Sequence, residues 1–482
     1  CKGFTHLNLF ILQDTNATPT NMAQMFDACS ALVSVDFGDI DVSKVTNMSS
    51  MFRDCKSMTN SSYSFISRWS NTACTTMEQM FLRNTKLTSM LNIKMPNVTN
   101  VAHMYQGTGI TSITGNLLGA KITNASALFA DCTSLTKLPS DYRTIFGSNS
   151  ALTDVSYLFR GCTKLAVKLD NDPLSYNQDG TITINDTKRN NQILRNCPNV
   201  TNASHIFESC TAITDLPVFV FWYNTKLTDV SYAFSGCSNM AFQAPETGAE
   251  TALLHNNTAL TNISYLFQGC KKMVSFLSTA GYWGYGAYDT LTKLTNVAGL
   301  FKNSGADSML FDIGLPKKSP NITDISEFYS GCESVTNIPF GAEVATNMPK
   351  LQNCSKLCYN CTNINQFGSI TGTKEYGNNV IYPIAQLSTL KNYSDAFTNC
   401  SKLTDYANLP MGWRAGSTST QNPNNIAIAL AKIAWGINPD SYSWSVTGHT
   451  GNEYNVDCRS SSTTALVTSY TVNVQTGKVV EG

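Results

Sequence analysis

The chain has 482 residues, 33 basic and 33 acidic, with 14% charged and 42% hydrophobic residues. A neutral balance without a basic block argues against nucleic acid or an anionic membrane surface as the main partner. No apolar run approaches the roughly 18 residues of a membrane-spanning helix, and no signal peptide is visible, so no membrane insertion is expected within this chain. Polarity comes mostly from Asn, Thr and Ser, which suits a turn-rich extracellular structure better than a cytosolic enzyme.

The first residues, CKGFTHL, align with CTSLTKL at 132–138, so Cys1 stands at a repeat position and reads as internal to a longer protein. Next comes VTNMSSMFRDC (45–55), which returns as LTDVSYLFRGC (152–162), LTDVSYAFSGC (227–237) and LTNISYLFQGC (260–270). The aromatic three residues before the motif cysteine serves as anchor. It occurs at Phe26, Phe52, Phe81, Tyr105, Phe129, Phe159, Phe207, Phe234, Phe267, Phe301, Tyr329 and Phe397. A further copy, NCSKLCYNC, places Cys358 in that slot. Anchor spacing runs from 24 residues (Phe81 to Tyr105) to 48 (Phe159 to Phe207), as repeats with loop insertions do.

Within a copy, Met48, Met51, Phe52 and Cys55 fall at i, i+3, i+4 and i+7, which predicts a short helix. Five residues ahead of the anchor stands Asn47, and the same slot holds Asn21, Asn100, Asn124, Asn202, Asn262, Asn296, Asn353, Asn392, Asp154, Asp229, Asp324 and Thr76. Each carries a short side-chain oxygen able to accept a backbone N–H, so the slot reads as a helix N-cap. After the cysteine the period changes to two, as in CSALVSVDF (29–37), which predicts a strand. A second half-unit places Asn149, Asn224 and Asn257 three residues before a Leu, with Cys197 in the equivalent slot. Such a residue is expected to turn inward and donate to backbone carbonyls.

Ten of the sixteen cysteines hold the slot three after an anchor, from Cys29 and Cys55 to Cys361 and Cys400. They are expected to be buried, mainly reduced thiols, since stacked copies put equivalent side chains parallel rather than aimed at each other. CYNC (358–361) has no second pair at zinc spacing, so no metal site is expected.

The insert GYWGYGAYD (281–289) is the best candidate for recognition, with Tyr282, Trp283, Tyr285 and Tyr288 as ligand-binding residues. Aromatic rings among small residues offer amphipathic contact area, although an insert can also fold its rings back over its own repeats. Trp222 and Tyr223 have a weaker claim. Beyond Cys400 the frame stops. IAIALAKIAW (426–435) has helix-like content, and SYSWSVTG and TTALVTSYTVNVQTGKVVEG read as strands with a QTGK turn. The organisation expected is a repeat region over 1–404 and a C-terminal cap, or the start of an attached domain, over 405–482.

These units resemble the BspA-like (Treponema-type) leucine-rich repeats of bacterial surface proteins over roughly residues 1–404, with V-T-N-M-S-x-M-F-x-x-C as the core. The long inserts at 166–196 and 277–293 and the non-repeat C-terminus depart from that pattern. The resemblance implies an α/β repeat fold, a leucine-rich-repeat solenoid of short parallel strands and short helices. It also implies an extracellular or surface-exposed protein, often acting in adhesion.

Chemistry is sparse. There are five histidines; His103 and His205 share a variable slot two before the anchor, and His6, His255 and His449 lack a partner at catalytic spacing. No HExxH, P-loop, GxSxG or dinucleotide glycine pattern is present, so neither catalysis nor a cofactor is expected. Sequons include Asn16, Asn47, Asn60, Asn97, Asn185 and Asn321, of which Asn16, Asn60 and Asn185 lie outside the cap slot and are the better acceptors. The expected function is non-enzymatic binding of a cell-surface protein or glycan. The alternative is a structural repeat protein of a filament, coat or virion fibre.

Overall fold

The computed structural model describes residues 3–9, 18–113, 121–139, 143–166, 174–176, 182–184, 193–215, 220–221, 223–241, 253–254, 257–273, 291–305, 320–338, 344–368, 374–375, 377–414 and 422–482. The chain divides into two units: Cys1–Asn262 with Gly269–Met273 and Thr279–Tyr282, and Ile263–Gln268 with Val274–Ser278 and Trp283–Gly482.

Around each anchor the backbone forms turns where a helix was expected. Two residues before Phe52, Ser50 has φ 55°, and two after, Asp54 has φ 59°. The same pair of left-handed positions recurs, for example at Gln79 and Arg83, His103 and Gly107, Tyr157 and Gly161, and Lys356 and Asn360. A helix cannot contain such residues. Nor are its N–H groups available, because alternate ones leave the copy. Met48, Ser50, Phe52 and Asp54 donate to Thr76, Glu78, Met80 and Leu82 of the next repeat at 2.8–3.0 Å. Between them, Met51, Arg53 and Cys55 donate three residues back at 3.1–3.3 Å. The apolar spacing survives this change, since Met48, Met51, Phe52 and Cys55 are all fully buried.

The strand expectation fares similarly. The cap-slot residues pair from copy to copy as single parallel bridges, running Asn21, Asn47, Thr76, Asn100, Asn124, Asp154, Asn202, Asp229 and Asn262 in the first unit. In the second they run Asn296, Asp324, Asn353 and Asn392. Among the described residues, parallel strands proper are limited to β1 (His6–Asn8) with β2 (Ser34–Asp36), and β5 (Asn337–Ile338) with β6 (Gln366–Gly368). Ahead of residue 423, antiparallel pairs among the described residues are β3 (Leu174–Tyr176) with β4 (Ile182–Ile184), and β6 with β7 (Lys374–Glu375). Three short helices, α1 (Arg143–Phe146), α2 (Val344–Asn347) and α3 (Gly377–Ala385), avoid the anchors. The expected α/β leucine-rich-repeat solenoid of short parallel strands and short helices is therefore corrected. The described residues are mostly turns and irregular backbone, held in register by copy-to-copy hydrogen bonds.

Rings fill the interior of these turns. In the first unit Phe26, Phe52, Phe81, Tyr105, Phe129, Phe159, Phe207 and Phe234 stack face to face, with centroids 5.4–6.1 Å apart and interplanar angles of 2–17°. In the second, Phe267, Phe301 and Tyr329 do the same at 5.8 Å. The 48-residue step from Phe159 to Phe207 leaves the stack uninterrupted at 5.6 Å.

Residues 423–482 depart from the repeat. α4 (Pro423–Trp435) starts at Asn422, whose side chain accepts from the Asn424 N–H, and ends at Gly436 in the left-handed region. Its apolar face (Ile426, Ala427, Leu430, Ala431) packs on Val456, Tyr470 and Val472. Those belong to an antiparallel sheet of β8 (Tyr442–Thr450), β9 (Glu453–Ser460), β10 (Leu466–Asn473) and β11 (Val479–Glu481), ordered β11-β10-β9-β8. The strand β9, EYNVDCRS, lies outside the segments expected to be strands. Trp413 Nε1 donates to the Thr476 carbonyl at 2.9 Å, and its ring stacks on Tyr393 at 5.3 Å.

Candidate functional site

The repeat positions sort into those consumed by the fold and those left for other work. The cap slot is consumed. Asn47 Oδ1 accepts the Ser49 N–H at 2.8 Å and Asp154 Oδ1 accepts the Ser156 N–H at 2.8 Å, so the slot caps a turn, not a helix. At two of the aspartates the second oxygen accepts from a neighbouring Asn: Asn262 Nδ2 donates to Asp229 Oδ2 at 3.1 Å, and Asn353 Nδ2 to Asp324 Oδ2 at 3.0 Å. Asp154 and Asp229 have Asn202 between them, and Asp324 lies between Asn296 and Asn353. No two carboxylates are adjacent in this column, which avoids like-charge repulsion at about 5 Å.

The inward Asn slot is consumed as well. Asn224 Nδ2 donates to the Leu194 and Cys197 carbonyls at 3.1 and 2.9 Å, and Asn257 Nδ2 to those of Phe221 and Asn224 at 3.0 and 2.9 Å. All fifteen described cysteines are free and buried. From Cys55 onward the ladder thiols donate to the carbonyl of the anchor slot of the preceding copy, as Cys162 does to Phe129 at 3.1 Å and Cys210 to Phe159 at 3.0 Å. Burial pushes the Cys55 thiol up to about 12 and those of Cys132 and Cys197 up to about 11, so they are poor nucleophiles. Among the described residues no group of three or more His, Cys, Asp or Glu is placed to hold a metal ion.

What remains is the slot two before the anchor, whose residue varies most, from Ser50 and Gln79 to His103 and Glu327. In four consecutive copies it carries Tyr157, His205, Tyr232 and Tyr265, all half-buried and all left-handed, with φ 58°, 58°, 56° and 55°. The imidazole is sandwiched between the first two tyrosines, with centroids 4.2 Å from Tyr157 and 4.5 Å from Tyr232 and nearly parallel planes. His205 Nδ1 donates to Glu208 Oε2 at 3.0 Å, which fixes the orientation of the ring. The Arg160 guanidinium lies 5.8 Å from the Tyr157 ring centre and 3.9 Å from Glu208. Sequence reasoning noted His103 and His205 in this slot but missed the tyrosines. The signal was the SY dipeptide of DVSYLF and DVSYAF.

Of the residues singled out earlier, Tyr282, Trp283, Tyr285 and Tyr288 lie outside the described residues, as does Trp222. Tyr223 is half-buried, with the Arg195 guanidinium 5.0 Å from its ring centre. Asn16 and Asn185 also lie outside. Asn60 is not a spare acceptor: its Nδ2 donates to the Ser89 carbonyl at 2.8 Å and its Oδ1 accepts the Thr88 N–H at 2.9 Å.

No helix among the described residues is long and apolar enough to cross a membrane. Comparison with curated proteins finds no match. A family described as "Mycoplasma protein of unknown function, DUF285" matches residues 20–142 and again 120–247, which together hold the repeats anchored from Phe26 to Phe234.

Proposed function

We propose that this chain is a non-enzymatic binding protein, exposed at a cell surface or secreted, that recognises a protein or glycan on another cell. The likeness to BspA-like surface-protein repeats and the twofold match to the Mycoplasma family support a surface role. The observation that carries the reading is the Tyr157–His205–Tyr232 column. The fold uses its buried thiols and the capping oxygens of its Asn and Asp slot internally, yet four successive copies place large amphipathic rings where turn geometry asks for none. The aromatic insert (Tyr282, Trp283, Tyr285, Tyr288) is the second proposed contact. In this reading residues 405–482 cover the last repeat.

Beads coated with the full chain should adhere to epithelial cells. Adhesion should fall about tenfold when Tyr157, His205 and Tyr232 are replaced by Ser, or when the four insert aromatics are, with each variant still unfolding cooperatively. Unchanged adhesion in both variants, or no adhesion by the parent chain, refutes the proposal.

A further inference from the structure

A second feature lies on the turn face formed by residues two and four after the anchor. In the copy anchored by Phe81 these are Arg83 and Thr85, and in the copy anchored by Phe129 they are Asp131 and Thr133. In the copy between them, anchored by Tyr105, both are glycine: Gly107 and Gly109. Gly109 has a structural cause, because a Cβ there would collide with the Thr85 carbonyl. Gly107, with φ +67°, sits in the left-handed slot that is also glycine at Gly161, Gly236, Gly269 and Gly331 and that elsewhere takes Asp54, Arg83, Asp131 and Asn360; an added Cβ would come no nearer than 3.3 Å, to the flexible Arg83 Cγ.

With both side chains missing, the columns are interrupted by a cavity of about 430 Å³, within the range of small-ligand sites. Its two walls have opposite character. Lys56 and Arg83 form one. Arg83 is held in a two-pronged pair with Asp54, through Nε at 2.8 Å and the terminal nitrogen, while Lys56 Nζ lies 3.7 Å from the same carboxylate. Two cations against one anion leave this wall with net positive charge. Gln106 and Asp131 form the other wall, where Gln106 Nε2 donates to Asp131 Oδ2 at 2.8 Å and Gln106 Oε1 accepts from His103 Nδ1 at 2.7 Å. The Thr85 hydroxyl and the buried Leu82 complete the lining. Arg83, Gln106 and Asp131 are held by these bonds before any ligand arrives, which lowers the ordering cost of binding.

We infer that this notch binds a carboxylate-bearing sugar unit, with the carboxylate on Lys56 and Arg83 and the ring hydroxyls on Asp131, Gln106 and Thr85. A charge-assisted bond to a guanidinium suits the carboxylate. Carboxylate and amide oxygens accept from hydroxyls, and Leu82 with the bare Gly107 backbone takes an apolar ring face. The inference deepens the glycan branch of the proposed function, but its test uses free sugar and no cells, so either can fail alone.

The full chain is titrated by NMR with glucuronate, with glucose, and with β-alanine as a zwitterion without a ring. Glucuronate should bind saturably, glucose about tenfold more weakly, and β-alanine more weakly still, a tenfold loss being what one modest charged contact supplies. Lys56→Glu should weaken glucuronate binding about tenfold, and Gly107→Asn, which fills the notch, should abolish it. Gly269→Asn occupies the same left-handed slot with no neighbour closer than 3.6 Å and should change nothing. The inference is overturned by absence of glucuronate binding, by equal affinity for glucose or β-alanine, or by full binding in Gly107→Asn.

Discussion

Truncating one ring of the interior stack tests whether the anchors hold the copies together. Phe159 is fully buried, with Phe129 at 5.8 Å on one face and Phe207 at 5.6 Å on the other. Phe159→Ala keeps the backbone bonds, since the Phe159 N–H still reaches the Ile206 carbonyl and its own carbonyl still accepts from Cys210. The loss is therefore the ring alone, about 3–5 kcal/mol as for other buried aromatics. The two stacked partners contribute about 0.5–1.5 kcal/mol each of that beyond area. Asp154→Ala, five residues earlier, removes only the acceptor for the Ser156 N–H at 2.8 Å and should cost about 1 kcal/mol. Guanidinium unfolding followed by circular dichroism, with hydrogen exchange to localise the opening, separates the two. Equal midpoints for both variants, or a Phe159→Ala loss below about 1 kcal/mol, would refute the stack as the main source of cohesion.

Asn202→Asp places three carboxylates in succession with Asp154 and Asp229, which should destabilise by about 2 kcal/mol at pH 7. Crowding raises the folded-state carboxyl pKa above its unfolded value, so the penalty should vanish near pH 3 and grow as pH rises through the ordinary carboxylate range; a pH-independent penalty contradicts this. Iodoacetamide at pH 8 should leave the described cysteines of the native protein unlabelled and label them all in guanidinium, since burial holds thiols such as Cys55 and Cys237 up to about 12. Glu327 is lowered despite burial, which acts the other way, because Lys302 Nζ at 2.7 Å and Tyr265 Oη at 2.9 Å bind its carboxylate. That stabilisation is present above the unfolded carboxyl pKa and is lost as pH falls through the folded one, so Lys302→Met should flatten the acid limb of the stability profile. In a glycosylating host Asn60 should stay unmodified, because a glycan would break its bonds to Thr88 and Ser89; peptide mass mapping decides.

Periodicity carried the burial pattern but not the conformation. Spacing at i, i+3, i+4 and i+7 is common to a helix and to consecutive four-residue turns, so Met48, Met51, Phe52 and Cys55 are buried in either. The cue against a helix was the glycine before the cysteine in LFRGC, AFSGC and LFQGC, where Gly161, Gly236 and Gly269 have φ near +72°. The matching position before the anchor hid better, because residues as different as Ser50, His103 and Tyr157 accept the left-handed region there, and no composition marks it. Copy-to-copy bonds supply what local preference does not. The Tyr157–His205–Tyr232 column was likewise invisible one copy at a time, since its meaning lies in contacts between residues 48 and 27 positions apart.

The separation of carboxylates along the cap column constrains how such a chain can grow. Duplicating a single copy that carries Asn leaves every neighbour relation intact. Duplicating the copy built on Asp229 alone would set two aspartates side by side, whereas duplicating it together with the Asn202 copy would not. Unequal crossing-over that adds one Asp-bearing unit is thus penalised at neutral pH unless a compensating change to Asn follows, while two-unit steps pass freely. The present order of Asn and Asp is a filter on genetic rearrangement, applied by the spacing of one side-chain row.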